Sequence, residues 1–291
     1  MSQRITPRLI LETLLPHLRV ASNYARTIQS RIAARPAKDA DSFFGAALSD
    51  ADLSIQTLIE VALLGNFPNI RFYGEEYEQS YNTKYFRAID LGDKNDYLVT
   101  LDPIDGTQFY LDGHSNYQII LGVLNWDEFE AAIALTPAQD SYYYALRGEG
   151  TWQGTFMDDL PTCKPLHVNK TSSTILLGWG MNLLAPYLTH RYQVLDVETS
   201  YSKETQIPNV NGILNGDLAG VVLRAGKFID GAALAFIAQE SGYIVTTHDG
   251  NSLPPLYTCN DYTRPGLVIA ASPTVHMHLL EALSNVKRSP G

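Results

Sequence analysis

The apolar positions of the chain first indicate helices. In residues 8–33 an apolar side chain returns every three or four positions, which is the period of a helix with one buried face. Pro16 lies inside this segment, and we expect it to kink or restart the helix, because proline cannot donate the hydrogen bond of a helix interior. Further helices are predicted over residues 50–64, 229–241 and 273–284.

Strand-like runs lie between these helices. Residues 69–76 form a short run that ends on two acids, and residues 97–101 are apolar and β-branched. Three more strands are predicted at the spacing of a meander, over residues 117–125, 130–136 and 141–146. Because consecutive strands lack helices between them, we expect a layered α/β (α+β) architecture with largely antiparallel sheets, not a doubly wound sheet.

A mixed region from about residue 165 to 225 interrupts this regular pattern. We therefore divide the chain into an N-terminal α/β subdomain, residues 1–164, and a C-terminal α/β subdomain, residues 165–291.

Composition narrows the possible partners. The 291 residues are 45% hydrophobic, which is enough for a large core, and the formal net charge is −10. An acidic chain is a poor match for a nucleic acid polymer or an anionic membrane. Two cysteines and the absence of a long apolar stretch near the start lead us to expect a cytoplasmic protein.

The stretch LDPIDGTQFY, residues 101–110, carries the strongest chemical signal. Asp102 and Asp105 follow an apolar run at once and lie three apart, and Gly106 and Thr107 come next. A turn would explain one such acid. Two close carboxylates at the end of a buried strand repel each other unless a cation lies between them, and Mg²⁺ prefers oxygen ligands. The residues alone therefore raise a metal hypothesis.

Three other acids lie at the edges of apolar elements. They are Asp52 near the start of a helix, for which Ser49 or Asp50 is the expected cap, Glu75 after a strand, and Asp230 before a helix. Each could be a cap or a turn residue and nothing more. The functional hypothesis is that all of them converge where strands end and helices begin, as in many α/β sites.

Several short motifs resemble those of the inositol monophosphatase family, within the metal-dependent, lithium-sensitive phosphatases. Residues 102–107, DPIDGT, match the signature of the family in full. Residues 73–76, YGEE, and 48–52, LSDAD, are similar to two further motifs. Residues 228–233, FIDGAA, with 240–242, ESG, are similar to the last one. Order and spacing agree from about residue 45 to the closing helix.

The resemblance implies a fold of the sugar-phosphatase type, an alternating α/β/α/β/α sandwich, and a site with two or three Mg²⁺ ions. The implied ligands are Glu75, Asp102, the carbonyl of Ile104, Asp105 and Asp230. One ion would generate the nucleophile from water, and the others would hold phosphoryl oxygens.

The resemblance also implies roles in catalysis and in phosphate binding for residues of the chain. Thr107 and Asp52 would relay a proton, with Glu75 as the third catalytic residue. The amides of Gly106 and Thr107 would bind the phosphate. The resemblance also implies inhibition by lithium, and we expect a homodimer.

The chain departs from the family where substrate is selected. Members that act on inositol phosphates carry a glutamate before the last metal aspartate, whereas no acid lies between Asp217 and Asp230. Arg224 and Lys227 occur there instead. Both could lie on a solvated strand edge, or one could bind a second anionic group. If the segment is a strand, residues three apart face opposite sides, so at most one faces the substrate.

We expect a Mg²⁺-dependent phosphoric monoester hydrolase that acts on a small phosphorylated metabolite, namely a polyol, a sugar or a nucleotide. A sugar bisphosphatase, a nucleotide 3′-phosphatase and a histidinol phosphatase stay open. A phosphometabolite-binding protein without turnover is the alternative from another class.

Overall fold

The computed structural model describes residues 4–32, 49–76, 91–93, 96–167 and 171–288. The chain divides into two compact units, Met1–Pro165 and Leu166–Gly291. Each unit buries an apolar cluster of its own. Of the helices in the described ranges, none is long and apolar enough to cross a membrane.

The first unit is built around one seven-stranded sheet. Its helices are α1 (Pro7–Ile28), α2 (Asp50–Asn66) and α3 (Thr107–Leu111). Its strands are β1 (Arg71–Gly74), β2 (Leu98–Asp105), β3 (Gln118–Leu124), β4 (Phe129–Thr136), β5 (Ser141–Leu146), β6 (Gly150–Thr155) and β7 (Lys164–Pro165). The strands lie in sequence order in the sheet. Only the pair β1–β2 is parallel in it, and the predicted meander β3–β4–β5 is confirmed.

Helix α1 covers the prediction over residues 8–33 except at its end. A short 3-10 turn, Gln29–Arg31, follows the helix, and residue 33 lies outside the described residues. Its apolar face is buried on both sides of Pro16, from Ile10 to Ala25. Pro16 itself is exposed, so the helix runs through it as one element. The expected restart is therefore wrong, because burial of the flanking turns outweighs one missing hydrogen bond.

The second unit contains a mixed sheet and a small ribbon. Its helices are α4 (Ala185–Leu188), α5 (Val197–Ser200), α6 (Gly231–Glu240) and α7 (Pro273–Arg288). Its strands are β8 (Thr174–Leu177), β9 (Gln193–Asp196), β10 (Gly220–Leu223), β11 (Gly226–Lys227), β12 (Ile244–Thr247), β13 (Thr263–Arg264) and β14 (Leu267–Ala270). Five strands form one sheet in the order β12-β14-β10-β8-β9, and β11 pairs with β13.

Pairing differs between the two main sheets. In the second unit β14 is antiparallel to both of its neighbours, whereas β8 is parallel to both of its neighbours. Helix α6 is buried along eight consecutive residues, 231–238, which makes it a core helix of this unit. The layered α/β class predicted from the sequence is confirmed, with antiparallel pairing dominant in the first sheet.

Candidate active site

The end of the parallel pair β1–β2 brings together two of the predicted ligands. Gly74 is the register partner of Leu101, and the backbone N–H of Glu75 donates to the carbonyl of Leu101 at 3.1 Å. Since the strands are parallel, their carboxyl ends lie at the same edge of the sheet. Glu75 and Asp102, the next residue of each chain segment, therefore lie side by side at this edge.

Strand β2 does not stop at residue 101, as the sequence led us to expect. It continues to Asp105 through a bulge: Asp102 pairs with Ile120, but Asp105 pairs with Gln118, so β2 carries one residue more than β3. The carboxylate of Asp102 accepts from the backbone N–H of Ile104 at 3.0 Å. This contact lies within the bulge, where the ladder shifts by one residue.

A left-handed glycine then ends the strand. Gly106 has φ 84° and ψ 39°, a conformation that side chains disfavour, and it caps the short helix α3. Its carbonyl accepts from the N–H of Tyr110 at 3.0 Å. The amides of Gly106 and Thr107 thus lie at the first turn of α3, directly after the bulge.

Asp52 and Thr107 meet in the interior of the first unit. The Thr107 hydroxyl lies 3.1 Å from Oδ1 of Asp52 and 2.9 Å from the carbonyl of Ile104. The hydroxyl has a single proton, so it can donate to only one of the two acceptors at a time. Asp52 is fully buried and Thr107 is 7% exposed. The predicted pair is in contact, and the Ile104 carbonyl lies in the same network.

The start of α2 explains how Asp52 is held. Ser49 caps this helix, and Asp52 accepts from the N–H and the hydroxyl of Ser49 in a capping box. Burial raises the pKa of Asp52 to about 6, because the charged form loses water. The Ser49 hydrogen bonds lower this pKa and the charge of Glu75 raises it. The raised pKa makes Asp52 a stronger base than an exposed aspartate.

Gln56 connects the same helix to the end of β1. It lies one turn after Asp52, and its side-chain oxygen accepts from the backbone N–H of Glu76 at 3.0 Å. A Cβ at Gly74 would lie 2.4 Å from the Gln56 side chain, so only glycine permits this approach. One face of α2 thus holds both Asp52 and the backbone around Glu75.

Asp230 belongs to the second unit. It caps α6, accepts from the N–H of Gly231 and is half-buried. The two nearby cations do not share a strand. Arg224 follows β10, whereas Lys227 lies in β11 opposite Thr263, and both are exposed. Arg224 and Lys227 therefore do not lie on one alternating strand, because the chain bends between β10 and β11.

Two contributors were missed in the sequence. Gln118 of β3 donates from Nε2 to Asp105 Oδ2 at 2.8 Å, and Gln56 supports the Glu75 segment. Gln56 carried a weak signal, as a polar residue one turn after Asp52 on an apolar helix. For Gln118 the only signal in the sequence is its position at the start of the apolar run QIILGVL. Its contact requires the bulge, which shifts the register of β2 against β3.

A model of the inositol monophosphatase family matches residues 13–288. The chain belongs to the inositol monophosphatase family.

Individual members of the family are distant in sequence. The chain is 25% identical over 250 residues to the putative Nus factor SuhB of Neisseria meningitidis, covering 81% of this chain and 84% of that protein. It is 24% identical over 151 residues to a histidinol-phosphatase of Chlorobaculum parvum, covering 52% of each. A staphylococcal inositol monophosphatase-1, solved as a lithium-soaked inhibitory complex, superposes with a TM-score of 0.71 at 17% identity. That match covers 96% of both chains and shows the shared fold.

Inositol monophosphatases are generally metal-dependent. The donor atoms at the end of β2 are of the chemical type that a hard cation binds. They are carboxylates and a backbone carbonyl, the ligands that Mg²⁺ prefers. Across the described ranges, however, no three His, Cys, Asp or Glu side chains already form a group that could hold a metal. The residues supply suitable oxygen donors, and binding would have to draw them together.

Proposed function

We propose that the chain hydrolyses phosphate monoesters of a small polyol, sugar or nucleotide, with Mg²⁺ as the cofactor. The observation that supports this most directly is the buried contact between the Thr107 hydroxyl and Asp52, next to the bulge that holds Asp102 and Asp105. A buried carboxylate is costly unless hydrogen-bonded, and here one partner is a hydroxyl beside the proposed ligands. In the proposal this pair relays a proton in general-base catalysis.

In this proposal two or three Mg²⁺ ions are held: Glu75, Asp102 and the Ile104 carbonyl would bind one, and Asp102, Asp105 and Asp230 would bind a second. A bound Mg²⁺ supplies Lewis-acid polarisation of the phosphoryl oxygens and makes a bound water more acidic. The Thr107 hydroxyl would donate its proton to Asp52 Oδ1, which lies 3.1 Å away. The Thr107 oxygen is then free to accept a hydrogen from the attacking water.

The amides of Gly106 and Thr107 have the second role, which is to bind phosphate oxygens. The left-handed turn at Gly106 leaves no side chain between the backbone and an approaching anion. The division of labour is also part of the proposal. The first unit supplies most ligands, and the second supplies Asp230 and the residues that select the substrate, for which Arg224 and Lys227 are the candidates.

One experiment tests which ester is the substrate and whether the protein hydrolyses it. We would incubate the intact protein with Mg²⁺ and a panel of phosphate esters, and measure released phosphate. The panel holds an inositol phosphate, a sugar bisphosphate, a nucleotide 3′-phosphate and histidinol phosphate. Thr107→Val removes the hydroxyl at almost constant shape and is expected to lower turnover strongly.

Absence of turnover with every ester, despite binding of the same esters, would favour the binding-protein alternative. A relative described as a putative Nus factor makes that alternative worth testing. Inhibition by millimolar lithium and a homodimeric state are further expectations from the family. Titration with LiCl and light scattering would test them.

A further inference from the structure

We propose that Gln118 is a positioning residue for the cation site: its buried amide orients the Asp105 carboxylate. This rests on the proposed function, since it concerns one of the proposed ligands. Asp105 and Gln118 are cross-strand partners in the last pair of the β2–β3 ladder, and Nε2 of Gln118 donates to Oδ2 of Asp105 at 2.8 Å. The contact exists because the bulge brings Asp105, not Ile104, opposite Gln118.

The cost of placing Gln118 here argues against a purely structural role. Gln118 is fully buried at the head of an otherwise apolar strand, where valine or isoleucine would pack without a polar group. In the part of the chain that the structure describes, its Oε1 is buried and has no hydrogen-bond partner. An unpaired buried acceptor is unfavourable for folding, so the gain must lie in the contact with Asp105.

The chemistry of the amide suits this task. A neutral N–H donor occupies one oxygen of Asp105 and leaves its negative charge intact for a cation. A lysine or arginine in the same place would orient the carboxylate but would also compete with the cation. Hydrogen-bond partners of metal ligands act in this way, and their loss typically weakens metal binding by about 10–100-fold.

The test measures Mg²⁺ affinity of the intact protein by titration calorimetry, without substrate. Gln118→Leu removes the donor at similar size. Gln118→Thr, which is too short to reach Asp105 and suits a strand, serves if the first variant folds poorly. We expect about 10–100-fold weaker Mg²⁺ binding in both. Gln153→Leu is the matched control, because Gln153 is an exposed glutamine three strands away in the same sheet.

A double-mutant cycle separates positioning from general loss of stability. In an Asp105→Asn background, Gln118→Leu should weaken Mg²⁺ binding by no more than about twofold, since its target has lost its charge. Unchanged Mg²⁺ affinity in Gln118→Leu or Gln118→Thr, in a protein that binds Mg²⁺ and hydrolyses esters, would overturn the role of Gln118 alone. No Mg²⁺ binding by the unaltered chain would overturn the proposed function as well.

Discussion

Two regions of the molecule place an acid where an apolar element meets a turn, and they hold it in different ways. At the end of β2, Asp102 and Asp105 are held by a backbone N–H within the bulge and by a side chain of the neighbouring strand. At the start of α6, Asp230 is held by the N–H of Gly231 in its own helix. The contact of Asp105 depends on strand pairing, whereas Asp102 and Asp230 accept from backbone N–H groups one or two residues away.

The difference shows how strongly the position of each acid indicates a function in addition to a structural role. A helix cap explains Asp230 without any ligand, because aspartate is among the best capping residues. The bulge has no comparable structural explanation, since it keeps two carboxylates and a buried glutamine close together. The structural case for a cation site is therefore carried by the β2 end, and Asp230 needs an experiment that separates capping from ligation.

Removal of the cation is expected to have the largest effect. The proposed hydrolysis uses a bound cation, so excess chelator should reduce phosphate release to background, and added Mg²⁺ should restore it. The measurement is released phosphate with the metal content determined in parallel. Full activity in metal-free protein would show that neither region supplies ligands to a cation that phosphate release needs.

Single neutral substitutions should come next in size. We expect Asp102→Asn and Asp230→Asn each to lower kcat by at least about 100-fold, since each removes the charge of a proposed ligand. Asp249→Asn is the control, because it changes only an exposed ion pair with Lys287. If Asp230→Asn kept a near-normal rate at saturating Mg²⁺ while Asp102→Asn did not, capping would be the whole role of Asp230.

The cations near Asp230 should have a smaller effect, seen in substrate preference. Arg224 follows β10, and its Cδ would lie 3.3 Å from a Cβ at Gly180, so the side chain extends over that glycine. A contact with a second phosphate would contribute about 1.5–3 kcal/mol, or roughly 10–100-fold in binding. We expect Arg224→Ala to lower kcat/KM for a sugar bisphosphate by about this factor and to leave that for inositol 1-phosphate nearly unchanged.

Lys227→Ala is the companion variant, because the bend between β10 and β11 separates the two cations. An unaltered ranking of the two substrates in both variants would show that these cations do not select a second anion.

The sequence predicted the local parts of the molecule and not the register-dependent ones. Helices α1, α2, α6 and α7 follow from their apolar residues and caps, and the meander follows from apolar runs at regular spacing. The resemblance to the family pointed to the pair Asp52–Thr107, which the fold brings into contact. The bulge, its contact between Asp105 and Gln118, and the break between β10 and β11 depend on how strands pair. Pairing register is set by distant residues.

The smallest expected effect separates the two roles of Asp230 by stability. Asparagine keeps the side-chain oxygen that accepts from the N–H of Gly231, whereas alanine removes it. Asp230→Ala should therefore lower the free energy of unfolding by about 1 kcal/mol. Asp230→Asn should leave it nearly unchanged, although both lose activity. Urea denaturation without Mg²⁺, followed by circular dichroism, measures this difference. Equal stability of the two variants would show that the cap contributes little to the stability of α6.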